Sequence, residues 1–223
     1  MRFSTAYALN TSKAISMRFF HPYLMFLSYD TSESAKFADN RTLVENIKQT
    51  SQVLVTVLLY VVGIRSKKIH KFMFSKERKD LTVAKYFRDW PFKSSPQFTL
   101  YTSPEAKWAR KCKNHYDYLV SFLESNLDEF EFRFGKAHPL WIGLEYFRIA
   151  LCQISLDHLV SLPEIPNLKI VLPWKNLPLD CRMKDIVGGY RKYYKRGIQD
   201  PFLAYVGTRR DIPEWVIGKE SLA

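Results

Sequence analysis

Residues 40–63 carry the sequence NRTLVENIKQTSQVLVTVLLYVVG, and this stretch decides the fold. Its apolar side chains recur every three or four positions and merge, from Val53 to Ile64, into an almost fully apolar run, which predicts a buried helix. The run is about half the length that a helix needs to span a bilayer, so no membrane crossing is expected. Asn40 is predicted to cap the helix and Gly63 to end it. We expect this helix to cross the centre of the core.

The composition favours a helical protein with a substantial core. Hydrophobic residues make up 47% of the 223 residues, which argues against disorder, and only 8 residues are glycine, fewer than a turn-rich β fold uses. We therefore predict a mainly α fold: a compact helical bundle with long irregular connections. No linker divides the chain, so residues 25–223 are predicted to form a single helical domain. Residues 1–24 form an N-terminal extension without acidic side chains, for which a transit peptide, a packed segment and a start codon placed too early all remain open.

Capping signals predict where the other helices begin. Asp30 with Glu33 has the spacing of a capping box and opens a short helix. Ser103 followed by Pro104 is typical of the start of a long one. The segment 163–179 contains four prolines, which favour an extended path over the surface. Helices are predicted at residues 105–134, 142–159 and 184–196.

The net charge of +12 indicates a polyanionic partner, most simply DNA or another nucleic acid, because each phosphate contact by Lys or Arg releases counterions. Residues 65–80 are rich in cations and are a candidate phosphate-binding loop, with a solvated surface insertion as the alternative. Cys112, Cys152 and Cys181 have no disulfide or metal-site spacing, which favours a reducing cytoplasm. The glycine pattern contains no nucleotide fingerprint and the histidines lack metal-ligand spacing, so neither a cofactor nor a metal is predicted.

Residues 129–138, EFEFRFGKAH, carry the candidate catalytic groups. Glu129 and Arg133 are four residues apart and share a helix face, and Gly135 suits the left-handed position that ends a helix. Lys136 and His138 would then lie on the exit loop. If the protein is an enzyme, Glu129 is the predicted catalytic carboxylate, kept ionised by Arg133, with His138 supplying a proton and Lys136 an anion contact. The alternative is an Arg–Glu pair that only locks the helix end.

Cations beside flat rings are candidates for holding a base and its phosphate, because a ring can stack an unpaired base. The alternative is that these aromatic side chains belong to the core, which we favour for Trp108 and Trp215. A basic group of lysines at 107, 111 and 113 also surrounds Trp108 and His115. The candidate groups are Trp108 with Arg110, Tyr190 with Arg191 and Tyr194, and Thr208 to Arg210 before Trp215.

Several blocks together resemble a family of small, mostly uncharacterised proteins encoded by bacteriophages and bacteria. Members carry Asp-Lys-His-Val-Val-Lys on an early helix, where this chain has Arg41 and Thr42 in place of the lysine and histidine, and they usually begin with a strand-like segment. The resemblance implies an anion-binding role for Arg41 and allows a small N-terminal β element. The other matching residues are Ser103, Pro104, Trp108, Arg110, His115, Tyr116, Glu129, Phe130, Arg133, Phe134, Gly135, Lys136, His138, Tyr190, Arg191, Tyr193, Tyr194, Pro213, Glu214 and Trp215.

The helix order more distantly resembles endonuclease V-type pyrimidine dimer DNA glycosylases, in which an N-terminal amine attacks the sugar and an early glutamate assists. This chain departs from that pattern in two ways that count against the same activity. Met1 precedes the bulky Arg2, which disfavours removal of the methionine, and Thr42 lies near the position expected for the glutamate. The resemblances imply a phage or bacterial protein that interacts with nucleic acid or nucleotides, with DNA base excision or modification as its activity. Its expected location is the cytoplasm, which is that of the host cell if the protein is phage-encoded. The alternatives are a non-enzymatic phage protein that binds a host or virion partner, and an enzyme acting on a small anionic metabolite.

Overall fold

The computed structural model describes residues 24–64, 102–156, 162–173, 177–198 and 200–218, without the side chains of 154–156. Eight α-helices and one short 3-10 helix lie in these ranges, and the described residues contain no strand. The predicted mainly α fold class is therefore confirmed. The possible N-terminal β element, the extension up to residue 23 and the basic run 65–80 lie outside the described residues. The helices are α1 (Thr31–Phe37), α2 (Asn40–Val61), α3 (Pro104–Ala109), α4 (Lys113–Phe134), α5 (Trp141–Leu156), α6 (Ile186–Gly197), α7 (Pro201–Tyr205) and α8 (Glu214–Ile217), with the 3-10 turn at Leu179–Cys181.

Helix α2 is the central element, as its apolar pattern predicts, and it packs most extensively against α4. Its N-cap is Asp39 and not Asn40, because the Asp39 carboxylate accepts a hydrogen bond from Thr42 N at 2.6 Å. The helix ends before Gly63, whose φ of +88° is a left-handed value that suits glycine. Among the described helices, none combines the length and apolar character needed to cross a membrane.

The short segment before α1 is part of the core. Phe26 is fully buried, with its ring centroid 4.9 Å from Phe122 and 5.5 Å from Tyr190. Buried Asn46 fixes the segment to α2 by accepting from Met25 N at 3.0 Å and donating to Met25 O at 3.2 Å. One hydrophobic cluster joins this segment to side chains from α1 to α8.

The predicted long helix over residues 105–134 is broken into α3 and α4, so that prediction was wrong. In a continuous helix, Trp108 O would accept from Cys112 N. Instead it accepts from Lys111 N at 3.2 Å and lies 2.8 Å from His115 Nδ1, while Cys112 is extended with φ −157°. Lys113 N, at the first residue of α4, then donates to Pro163 O at 2.9 Å.

The ends of the remaining helices follow their capping residues. Asp30 caps α1 by accepting from Glu33 N at 2.7 Å, and Gly135 ends α4 with φ +66°, both as predicted. The reciprocal half of the predicted capping box does not form, because Asp30 N donates to Ser28 Oγ at 3.2 Å and the Glu33 carboxylate accepts from the same hydroxyl. The helix predicted from residue 184 starts at Ile186, because Asp185 accepts from Val187 N and Gly188 N. Two short helices that the sequence did not predict, α7 and α8, follow it. Residues 162–173 have no regular structure, in agreement with their proline content.

Candidate functional site

Glu129 and Arg133 form the pair that their spacing predicts, but they lie in the interior. Arg133 Nε donates to Glu129 Oε1 at 2.7 Å, and the exposed fractions of the two side chains are 0% and 4%. Arg210, from the segment before α8, joins them: its Nε donates to Oε1 at 2.9 Å and its Nη2 to Oε2 at 2.8 Å. We call these three residues the Glu129 cluster.

The Glu129 cluster also caps α1. Arg133 Nη1 donates to Ala38 O at 2.7 Å, and its Nη2 donates to Ala35 O and Lys36 O, each at 3.2 Å. These carbonyls lie at the C-terminal end of α1, where a helix leaves its last acceptors unsatisfied. The arginine therefore joins α1 to α4.

The electrostatics of Glu129 follow from these contacts. Burial alone would raise the pKa of its carboxyl, but hydrogen bonds from Arg210 and Arg133 outweigh burial and hold the pKa below its usual value. Both oxygens are engaged by guanidinium groups. The geometry gives Glu129 a structural function, and its catalytic role stays a prediction.

His138 and Lys136 do not join the Glu129 cluster. His138 Nδ1 accepts from Leu140 N at 3.1 Å, its ring packs edge-on against Phe130 at 4.8 Å, and burial lowers its pKa. Lys136 is exposed. Within the described residues, no hydrogen bond or ion pair links either of them to Glu129.

The aromatic residues predicted on α6 are core residues. Tyr190 is fully buried and donates its hydroxyl to Pro173 O, and the Tyr194 hydroxyl accepts from Asp39 N at 2.7 Å. Arg191 donates to Leu27 O at 2.8 Å. Neither tyrosine ring is available to a base.

The other predicted cations lie apart from one another. Arg41 is exposed on α2, and the Arg110 guanidinium lies 4.6 Å above the Tyr60 ring. Arg133 is buried, as described above. Of the predicted binding residues, only Trp108 lines the cleft described next.

A cleft of about 430 Å³ lies between α3, the start of α4 and the segment 162–173. Its base is the stacked pair of Trp108 and His115, whose ring centroids are 4.2 Å apart at an interplanar angle of 15°. Trp108 Nε1 donates to Val171 O at 2.7 Å, which fixes the segment 162–173 across α3. We call this site the lysine cleft. It is lined by Pro104, Lys107, Trp108, Lys111, His115, Lys169, Val171, Leu172 and Pro173.

The break between α3 and α4 builds this cleft. Because Trp108 O does not accept the helical hydrogen bond from Cys112 N, it can accept one from His115 Nδ1 at 2.8 Å. The donated proton fixes the tautomer, so Nε2 of the neutral ring is an acceptor. Burial, together with the nearby charge of Lys111, lowers the pKa of His115 despite its hydrogen bond to the carbonyl. The ring is therefore neutral near pH 7.

The charge of the cleft comes from Lys107, Lys111 and Lys169, all of which are exposed. No described residue forms a hydrogen bond or an ion pair with any of the three, and no carboxylate is among the described residues of the lining. Some cations elsewhere have acidic partners, such as Lys113 with Asp117 at 2.5 Å. Unneutralised positive charge is thus concentrated around one recess.

A second hollow, of about 400 Å³, has mixed charge. Lys36 and Arg210 line it together with Asp211 and Glu214, beside the Trp215 ring. Since the positive charges face carboxylates, and Arg210 is already paired with Glu129, this hollow does not favour an anion.

Sequence reasoning found part of the lysine cleft. Lys107 and Lys111 flank Trp108 in a basic group that can be recognised in the sequence. Lys169 and Val171 were not found, because they lie in an irregular proline-rich segment whose path depends on tertiary contacts. No local pattern marks them as partners of α3.

Within the described ranges, no group of three or more His, Cys, Asp or Glu side chains is arranged to hold a metal ion. In comparisons of the chain with family models, curated proteins and solved structures, nothing matches. The resemblances to the phage and bacterial family and to the pyrimidine dimer glycosylases therefore stay predictions.

Proposed function

We propose that this chain is a phage or bacterial protein that binds nucleic acid or nucleotides through the lysine cleft. The observation that carries the proposal is the concentration, around a recess without a described carboxylate, of three lysines that pair with no described residue. Lysine ammonium groups bind phosphate as compact point charges, and counterion release adds affinity that does not depend on sequence. The net charge of +12 acts in the same direction by attracting a polyanion from a distance.

The proposal places the protein in a cytoplasm, that of the host cell if the chain is phage-encoded. All three cysteines are free, which fits a reducing compartment.

A salt titration of binding to a labelled single-stranded oligonucleotide tests the proposal. The logarithm of the binding constant falls with the logarithm of salt by roughly 0.7 per phosphate contact on a single strand. The triple variant Lys107→Gln, Lys111→Gln, Lys169→Gln is expected to make this slope shallower by about 2. The matched control replaces Lys48, Lys184 and Lys195, which removes the same charge from exposed positions outside the cleft. Equal slopes for the two triple variants would show that only net charge attracts the oligonucleotide.

Base excision or modification is the enzymatic form of the proposal, with Glu129 as the candidate carboxylate. Duplexes containing a pyrimidine dimer, resolved on denaturing gels, would reveal strand scission or base loss. The Glu129→Gln variant separates the two roles of this residue. Unchanged turnover with a lowered melting temperature would assign Glu129 to stability alone.

The second candidate function is a non-enzymatic interaction with a host or virion protein. Exposed apolar side chains on and after α7 favour it: Phe202, Leu203 and Val206 are 71%, 72% and 67% exposed. Large apolar side chains grouped at a surface often belong to protein interfaces. Under this function, nucleic-acid binding would be weak and without turnover, while a purified partner would bind tightly and lose affinity for Leu203→Ser.

A further inference from the structure

The size of the lysine cleft limits what can enter it. Its volume of about 430 Å³ lies in the range of small-molecule pockets, roughly 300–1,000 Å³. A duplex keeps its bases stacked and paired in its interior, and a base reaches a pocket of this kind only when it is unpaired or extruded. The cleft therefore suits one nucleotide and not a length of double helix.

The lining combines positive charge with an apolar wall, and a nucleotide likewise combines a charged phosphate with a largely apolar base. Lys107 and Lys111 are four residues apart around Trp108, and Lys169 comes from the segment that crosses it. Between these cations the wall is apolar, with Val171 and Leu172 among its residues. A bare phosphate would use only the lysines, whereas a nucleotide also covers the apolar wall with its base and sugar.

His115 adds an acceptor to this lining. Its Nδ1–H is donated to Trp108 O, and its Nε2 forms no hydrogen bond with any residue in the described part of the chain. Every nucleobase that can pair carries an N–H donor on its Watson–Crick edge, which is occupied in a duplex and free in an unpaired base. A neutral imidazole acceptor therefore favours the unpaired state.

Burial of the two rings defines how the base is held. Trp108 and His115 are only 6% and 8% exposed, and each covers a face of the other. A base therefore rests against the apolar wall and the edges of this pair, without a full stacking platform. Such contact distinguishes the four bases weakly.

We propose that the ligand of the lysine cleft is a single nucleotide unit with an unpaired base, its phosphate on Lys107, Lys111 and Lys169 and its Watson–Crick edge near His115. This inference rests on the proposed function and specifies its ligand. The unit is either a free nucleoside monophosphate or one nucleotide of a single strand, since both present the same groups.

Calorimetry on the whole chain at low salt tests the proposal by comparing a nucleotide with its fragments. The ligands are inorganic phosphate, 2-deoxyribose 5-phosphate, a deoxynucleoside and the corresponding deoxynucleoside 5′-monophosphate. The monophosphate is expected to bind at least about tenfold more tightly than any fragment, since each missing part leaves one side of the cleft unused. Each single Lys→Gln variant at 107, 111 or 169 should weaken monophosphate binding by about two- to fivefold, the range of a partly exposed charge contact. The variant Lys184→Gln, outside the cleft, should leave it unchanged.

Two further measurements distinguish the possible failures. A single strand should bind more tightly than the duplex of the same sequence, and the monophosphate should shift the ¹⁵N resonance of His115 Nε2 in the wild-type protein while inorganic phosphate does not. If tight monophosphate binding is accompanied by weak single-strand binding, the source is the free nucleotide. If duplex binds as tightly as single strand, or phosphate binds as tightly as the nucleotide, the inference is overturned although nucleic-acid binding stands. If no nucleotide or nucleic acid binds, both proposals fail.

Discussion

Replacing Arg133 by methionine should destabilise the fold more than any substitution of a surface cation. The methionine fills much of the same volume, so the change removes the guanidinium contacts and leaves little cavity. The side chain is 0% exposed, and its loss removes the guanidinium donors of Lys36 O and Ala38 O, while Ala35 O keeps only its bond from Ala38 N at 3.3 Å. Glu129 would keep the half-buried Arg210 but lose Arg133, its fully buried partner.

The size of the effect follows from these contacts. Removing one member of a buried ion pair typically lowers the free energy of unfolding by about 3–5 kcal/mol. For a chain of this length, 1 kcal/mol corresponds to about 2–4 °C, so the melting temperature of Arg133→Met should fall by roughly 6–20 °C.

Thermal unfolding followed by circular dichroism measures this difference. The control is Arg209→Met, since Arg209 is exposed and, among the described residues, its guanidinium donates only to Phe132 O, at 3.2 Å. The control should change stability by less than about 0.5 kcal/mol. A melting temperature for Arg133→Met within 2 °C, or about 1 kcal/mol, of the control would refute the assignment of Arg133 as the anchor of α1.

Two other perturbations test the packing and the pH dependence. Gly189→Ala would place a Cβ atom 2.4 Å from Cys181 O and should lower the free energy of unfolding by about 3 kcal/mol in urea titrations. Gly188→Ala instead meets the Asp185 carboxylate, whose displacement weakens the cap of α6, and should lower it by about 1 kcal/mol. Similar effects at the two glycines would contradict the close contact. Because the pKa of His115 is lowered below 6.5 in the folded state, the unfolded chain takes up the proton first on acidification. Stability should therefore fall as the pH drops below about 6.5 and level off below the folded-state pKa, and His115→Gln should flatten this decline in urea titrations at pH 7 and 5.

Much of the local structure follows from the sequence. The apolar period of α2, the left-handed position of Gly135 and the Asp30 cap are each encoded within a few neighbouring residues. The pairing of Glu129 with Arg133 likewise depends only on a spacing of four. Such features can be predicted because the interacting groups belong to one element.

The remaining features depend on contacts between distant segments. Nothing near Cys112 breaks a helix by itself, and the break is stabilised by Pro163 O and by the His115 ring. The burial of Glu129 requires Arg210, which lies 81 residues further along the chain. The lysine cleft requires Lys169, whose position depends on the bond between Trp108 and Val171. These relationships leave no periodic pattern in the sequence.

The Arg133 contacts also set an order of events during synthesis. Ala35 and Arg133 are 98 residues apart, so α1 leaves the ribosome well before the side chain that caps it. At about 5–20 residues per second, the helix waits roughly 5–20 s for this partner. Arg210 emerges later still and completes the charge balance around Glu129. The nascent chain therefore carries α1 without its Arg133 contacts while 98 further residues are added, and these contacts can form only once α4 is almost complete.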